Sequence, residues 1–373
     1  MKQTGRIVLC VLCGLLILVA PFLISSPNLL SEVKWELMDQ LNTEEGEELD
    51  LGRLLFPSAR AEGDSGEDLI EEIVEEGDSD LGPALYELPV DFSVPPLPKE
   101  ENYSENGYED ATIRVRMEDR EEDGVIWHLA FVQIASPTQL RTATAISADL
   151  NELYASGDQS AVEKQLKKVL TSSKVSSVSG MARNNHAVVA INGDNFVDKP
   201  EKTTFEYRMG QKIRSKTNKT KDMLIIDENG DFHLILAQEK KAQTAALEAV
   251  AAEHDIVNAY TFGPALVIDG EECQVSSEYG YNPNGREPRA ALGQIGRLSY
   301  VLAIAEGRGS SSGVTQQELA HFMAELECRQ AFNLDGGNSA EMVFNGVKYK
   351  GMPGGDERGL SDILYFATAV PEE

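Results

Sequence analysis

Five short stretches of this chain place polar side chains where an apolar run stops. They are INGDNF (191–196), GPALVIDG (263–270), EPRAALGQ (287–294), EGRGSSSGVT (306–315) and NLDGGNSAEM (333–342). In the last, Asp335 ends an apolar run and is followed by Gly336 and Gly337. A carboxylate beside two residues without side chains lets main-chain N–H groups come close to an anion or a sugar. Asn338 and Ser339 add short polar groups. Capping of a turn by Asp335, with the glycines supplying unusual backbone angles, is the plain structural alternative. Asn192, Gly193 and Asp194 repeat the arrangement, with a simple Asx turn as the alternative. Asp194 and Asp335 together would supply the paired carboxylates of glycosyl transfer chemistry. Arg289 follows Pro288, and Arg308 lies between two glycines. The planar guanidinium fork suits phosphate and carboxylate oxygens, though either arginine could equally make a surface salt bridge. GRGSSSG, which includes Ser312, has the composition of a phosphate cradle but lacks the G-K-[ST] of a P-loop. A helix beginning after Thr315 would turn its positive end toward a nearby anion.

Other chemistries find little support. His128, His186, His233, His254 and His321 are scattered, and no H-E-x-x-H or tight His/Cys/Asp set marks a zinc hydrolase. SSSG alone does not make a serine-hydrolase triad, and no EF-hand loop is present. A divalent cation beside the carboxylates is compatible with the spacing and not required by it. Cys10 and Cys13 fall in an apolar leader. Cys273 and Cys328 are either one disulfide or two separate thiols.

Taken in order, AINGDNF, FGPALVIDG, EPRAALGQ, AEGRGSSSGVTQQELAHFM and AFNLDGGNSAEMVFNG resemble the phosphodiester glycosidase family, over roughly residues 180–370 and more loosely from 110. The resemblance implies cleavage of a sugar joined through its anomeric oxygen to a phosphodiester. It points to Asn192, Asp194 and Asp335 as the catalytic group. For binding substrate and phosphate it points to Asp269, Arg289, Arg308, Gly336, Gly337 and Ser339. GMPGGDERGLSDILYF supplies Arg358 and Asp362 at a matching C-terminal position. Many relatives have Gly and an aromatic where this chain has Asp194-Asn195, so Asp335 is the firmer candidate. Two other readings stay open: a non-catalytic module that binds phosphorylated glycan, and a glycosyl-phosphate transferase.

The elements that must hold these residues are legible in outline. ATIRVRME and VIWHLAFVQIA read as strands. Val162, Leu166 and Leu170 lie on one face of a helix. DMLIIDENGDFHLILA reads as two strands about Asn229-Gly230. Thr315 and Glu318 form a capping-box pattern ahead of a helix with Leu319, Phe322, Met323 and Leu326 on one side. Many strands, hairpins and few helices predict a mixed α+β fold with a largely antiparallel sheet core and flanking helices.

The chain has 373 residues and a net charge of −29. Residues 31–110 hold 25 acidic and 4 basic side chains, a local net of −21. Three regions are expected: an anchor or signal peptide over 1–30, an acidic stalk over 31–105, and a glycosidase-like domain over 106–373. Lys2 and Arg6 precede an uncharged run at 7–24, which as a helix spans about 27 Å. Basic residues before it and acidic ones after orient the domain outward as a single-pass membrane protein. The expected partner is a phosphorylated glycan or envelope polymer. Nucleic acid is disfavoured by the acidic balance.

Overall fold

The computed structural model describes residues 81–169, 174–194, 205–351 and 357–372. The expected anchor and residues 31–80 of the expected stalk lie outside them. Among the described residues no helix is long and apolar enough to cross a membrane.

Three antiparallel sheets carry the fold, which is sheet-dominated α+β as expected. A nine-stranded sheet runs Tyr103–Ser104, Gly107–Glu109, Ile113–Glu122, Val125–Ile134, Ser299–Ala305, Arg289–Gly296, Gln330–Asn333, Ala265–Ile268 and Glu271–Glu272. The second sheet runs Phe232–Ile235, Asp222–Asp227, Ile256–Phe262, Phe205–Arg208 and Gln211–Ser215. The third runs Val347–Gly351, Glu341–Phe344, Val189–Asn192, Asp362–Phe366 and Leu140–Thr144.

Period-two alternation gives each sheet two apolar faces. One face of each enters a common core: Val132 and Leu302 from the first sheet, Leu224 and Tyr260 from the second, Ile191 and Leu364 from the third. The opposite faces are each covered by one helix. Gln316–Glu325 lays Leu319, Phe322 and Met323 on the nine-stranded sheet, with Phe322 stacked on Trp127 at 3.6 Å between ring centres. Lys240–Glu253 sets Leu247 against Met223 and Ile225 of the second sheet. Val178–Asn184 sets Met181 and Ala182 against Ala190 and Ile363 of the third. Side chains of alternating strands can serve two hydrophobic layers in this way, so the strands need little polar surface.

Local signals account for several boundaries. Thr315 and Glu318 make both hydrogen bonds of the capping box, and Leu326 ends the helix as its C-cap. Asn345 and Gly346, at φ 49° and 65°, form the tight turn between Glu341–Phe344 and Val347–Gly351. The turn carrying Asn229-Gly230 joins its two strands through residues 228–231, with Gly230 at φ 80°. Cys273 and Cys328 are separate thiols.

Residues 81–105 lie against the sheets. Leu88 and Phe92 are buried, and Tyr103–Ser104 pairs with Gly107–Tyr108. Arg141, fully buried, fixes this segment. It donates to the carbonyls of Pro89 (3.0 Å), Asp91 (2.9 Å) and Ser93 (2.9 Å) and to the hydroxyl of Tyr365 (3.0 Å). Arg141→Met leaves those carbonyls without their donor, at a cost of about 2–4 kcal/mol. We expect a lower urea midpoint and faster proteolytic cleavage within 81–97. An unchanged cleavage pattern would contradict the anchoring role.

Candidate functional site

The three sheets meet where three strand ends come together. Val189–Asn192 ends at Gly193-Asp194. Asp362–Phe366 starts beside it, with Ile363 opposite Asn192. Gln330–Asn333 ends at Leu334-Asp335, and the Asp335 N–H donates to the Gly193 carbonyl at 3.3 Å. Asn192 ties the ends together. Its amide donates to the carbonyls of Asp335 (2.7 Å) and Gly193 (3.0 Å), and its oxygen accepts from the N–H of Glu341 (3.1 Å). Asn192 is thus buried and committed to the backbone.

Behind this junction lies a buried ionic cluster around Arg208 of the second sheet. Its guanidinium stands 3.1 Å from Asp194, 2.7 Å from Asp362 and 3.1 Å from Glu206, all with side chains at most 1% exposed. It also donates to the carbonyls of Tyr207 (2.9 Å) and Ala259, and its plane lies 4.0 Å over the ring of Tyr260. Gly193 is required here, because a Cβ would sit 2.4 Å from a carboxylate oxygen of Asp362. Three buried carboxylates exceed what one guanidinium neutralises, even with the positive field of Arg214 added. Burial, and the charge of Asp362, push Asp194 up to about 7 against the pull of Arg208. Burial and Asp194 push Glu206 well above the carboxylate range. The cluster therefore holds protons near neutrality.

Asp335 is in front of the cluster and partly exposed. Burial raises its pKa, opposed by hydrogen bonding from Ser339 and by the charge of Arg358. The buried Ser339 hydroxyl accepts from Arg358 at 3.1 Å, so Arg358, Ser339 and Asp335 form a short relay. The double glycine shapes the loop. A Cβ on Gly336 would meet the Pro288 carbonyl at 2.7 Å, and Gly337 takes φ 60°. Arg308 reaches this loop from its own hairpin. It bonds Asn338, and it pairs at 2.8 Å with Glu287 while remaining 49% exposed.

Four expected binding residues are placed differently. Arg289 is adjacent through its backbone, but its side chain is buried. It donates to the carbonyls of Val314 (3.3 Å), Tyr281 (3.1 Å), Asn282 (2.7 Å) and Gly285 (3.0 Å). These bonds clamp the 281–285 loop and leave little of the fork for phosphate. Asp269 occupies an exposed turn at the far end of Ala265–Ile268, about 13 Å along the strand from its site end, and accepts from Gln330 at 2.8 Å. Ser312 is exposed on its hairpin, where it meets Arg286 at 3.4 Å. Asp362 was expected at the phosphate and is instead fully buried against Arg208.

Arg208 and Glu206 are the residues sequence reasoning missed. In FEYRMG they alternate with Phe205 and Tyr207, a pattern that ordinarily means a solvated face. Glu341 was also passed over. It is buried and pushed up to about 7 by burial and the neighbouring Glu357 carboxylate, which accepts from Ser179 at 2.8 Å.

For Asp194 the folded value stands above the unfolded one of about 4. Folding therefore takes up a proton. This contribution to stability is complete below about pH 4 and is lost as pH rises through about 7. We expect the urea midpoint to fall between about pH 5 and pH 8, and to fall less steeply in Asp194→Asn. Equal slopes in the two proteins would show that Asp194 does not titrate in this window.

Residues 185–367 match the model of the family described as phosphodiester glycosidase. The chain is 31% identical over 108 residues to the SPbeta prophage-derived uncharacterized protein YomE of Bacillus subtilis (strain 168), covering 29% of this chain and 17% of that one. It is 31% identical over 80 residues to N-acetylglucosamine-1-phosphodiester alpha-N-acetylglucosaminidase of Mus musculus, covering 21% and 16%. The chain thus spans under a fifth of the length of these curated relatives. Among solved structures, the auto-inhibited catalytic domain of the zebrafish N-acetylglucosamine-1-phosphodiester alpha-N-acetylglucosaminidase aligns with a TM-score of 0.49 at 16% identity, covering 73% of this chain and 86% of that one.

Proposed function

We propose, from the match of residues 185–367 to the phosphodiester glycosidase family, that the protein hydrolyses the bond between a sugar's anomeric carbon and a phosphodiester. The observation that carries this reading is the partly exposed Asp335, set on the Arg358–Ser339 relay, with the guanidinium of Arg308 on the same loop.

The chemistry suits these groups. When the C1–O bond breaks, its electron pair goes to the phosphate oxygen. The departing phosphate group is stable as an anion and needs less protonation than a sugar alkoxide would. Arg308 and Arg358 hold the charge that collects on it. Asp335 steadies the cationic ring and takes the proton of the water that adds to C1. Its raised pKa makes it a better base than an exposed carboxylate. Asp194 and Asp362 do not touch substrate in this account. They fix the junction from behind through Arg208.

We place the domain outside the cytoplasmic membrane, tethered through 7–24, and acting on a phosphorylated glycan or envelope polymer. The charge order around that run and the acidic residues after it support this.

With an N-acetylglucosamine-1-phosphodiester as substrate, we expect wild-type protein to release free sugar and phosphate monoester. Asp335→Asn should lower kcat at least about 100-fold with an unchanged circular dichroism spectrum. Turnover equal to wild type would remove Asp335 from the mechanism. Binding by wild type without product release would overturn the hydrolase reading in favour of a glycan-binding module.

A further inference from the structure

On the outer face of the second sheet, three side chains distant in sequence converge. His233 follows the 228–231 turn, on the face that packs against helix Lys240–Glu253. His254 is that helix's C-cap, and Asp227 ends the strand before the turn. His233 Nε2 stands 3.0 Å, and His254 Nδ1 3.1 Å, from the same oxygen, Asp227 Oδ2. All three donor atoms fall within 4.8 Å of one another. The Asp227 side chain is fully buried, and its other oxygen is fixed by the N–H groups of Asn229 (2.8 Å) and Asp231 (2.9 Å).

Two details favour a shared ion over a set of hydrogen bonds. His254 Nδ1 is buried and has no aligned hydrogen-bond partner, despite its closeness to the carboxylate. His233 Nε2 does hydrogen-bond the same carboxylate at 3.0 Å, so it is the His254 nitrogen that a shared ion would satisfy. The spacing also fits. Ligands about 2.0–2.2 Å from a tetrahedral zinc lie roughly 3.3–3.6 Å apart; the two nitrogen–Asp227 separations of 3.0 and 3.1 Å are within a few tenths of an ångström of that, and the two nitrogens lie within 4.8 Å of each other. Glu228 Oε1, 3.6 Å from His254 Nδ1, is a fourth ligand within reach. Two imidazoles select a borderline cation over calcium or magnesium.

We propose that Asp227, His233 and His254 bind one divalent transition-metal ion of the zinc class, with Glu228 or water completing its shell. The ion fastens the end of helix Lys240–Glu253 to the hairpin. It lies on the sheet face opposite Arg208 and takes no part in the glycosidase reading, on which it does not depend.

The test uses the full chain at about pH 8, with Zn2+ alone and with Co2+ as a spectroscopic substitute. We expect one zinc per chain and the intense visible bands of tetrahedral cobalt. X-ray absorption of the zinc form should show two imidazole nitrogens. His233→Ala and His254→Ala should each lower zinc affinity at least about 100-fold, leaving sugar phosphodiester turnover at the wild-type level. Should a variant not fold, the absorption spectrum of wild type decides alone. An all-oxygen shell, no zinc uptake by wild type, or equal uptake by wild type and a folded double variant would overturn the proposal.

Discussion

One buried guanidinium holds the architecture to its site. Arg208 belongs to the second sheet, yet two of its charged partners come from strand ends of the third, at Asp194 and Asp362. Asp335, from the nine-stranded sheet, hangs on the same junction through Gly193 and Asn192. Apolar packing joins the three sheets without direction, because any close fit of Leu, Ile and Val satisfies it. The Arg208 cluster has direction. Its fork admits carboxylates only at fixed angles, so it sets which strand ends face one another.

That order is expensive in charge. A buried ion pair seldom stabilises more than an apolar replacement would, since desolvation offsets the attraction. Here the excess of carboxylates makes the balance worse, and protons retained by Asp194 and Glu206 relieve it. Such a cluster is understandable where position matters more than stability. The residue it positions, Asp335, is the least buried of the carboxylates at the junction and has its own support in Ser339 and Arg358.

The fold class, the capping box at Thr315 and the Asn345-Gly346 turn were readable because each rests on neighbours in sequence. The double glycine after Asp335 was expected either to admit a ligand or to supply unusual backbone angles; Gly337 takes φ 60°, and Gly336 leaves no room for a Cβ beside the Pro288 carbonyl. Arg208 was not readable. A charged residue alternating with aromatics in FEYRMG looks like a half-exposed strand, and only the packing of a second sheet against a third reveals that its polar side is buried. The turn after it, Met209-Gly210, has positive φ at both positions, and methionine gives no sign of that. Arg289 misled for the opposite reason. Its motif is specific, but motif identity does not say whether a fork meets ligand or carbonyls. His233 and His254 are twenty-one residues apart, so their meeting depends on helix Lys240–Glu253 lying across the sheet.

The central claim is that Arg208 positions the catalytic junction without touching substrate. It is tested most directly by the steady-state kinetics of Arg208→Lys on a sugar-1-phosphodiester. Lysine keeps the charge and loses the fork. The account predicts a folded protein whose kcat falls about 100-fold while KM stays near the wild-type value, as expected when reacting groups are displaced by about 1 Å. A folded Arg208→Lys protein with wild-type kcat would contradict it.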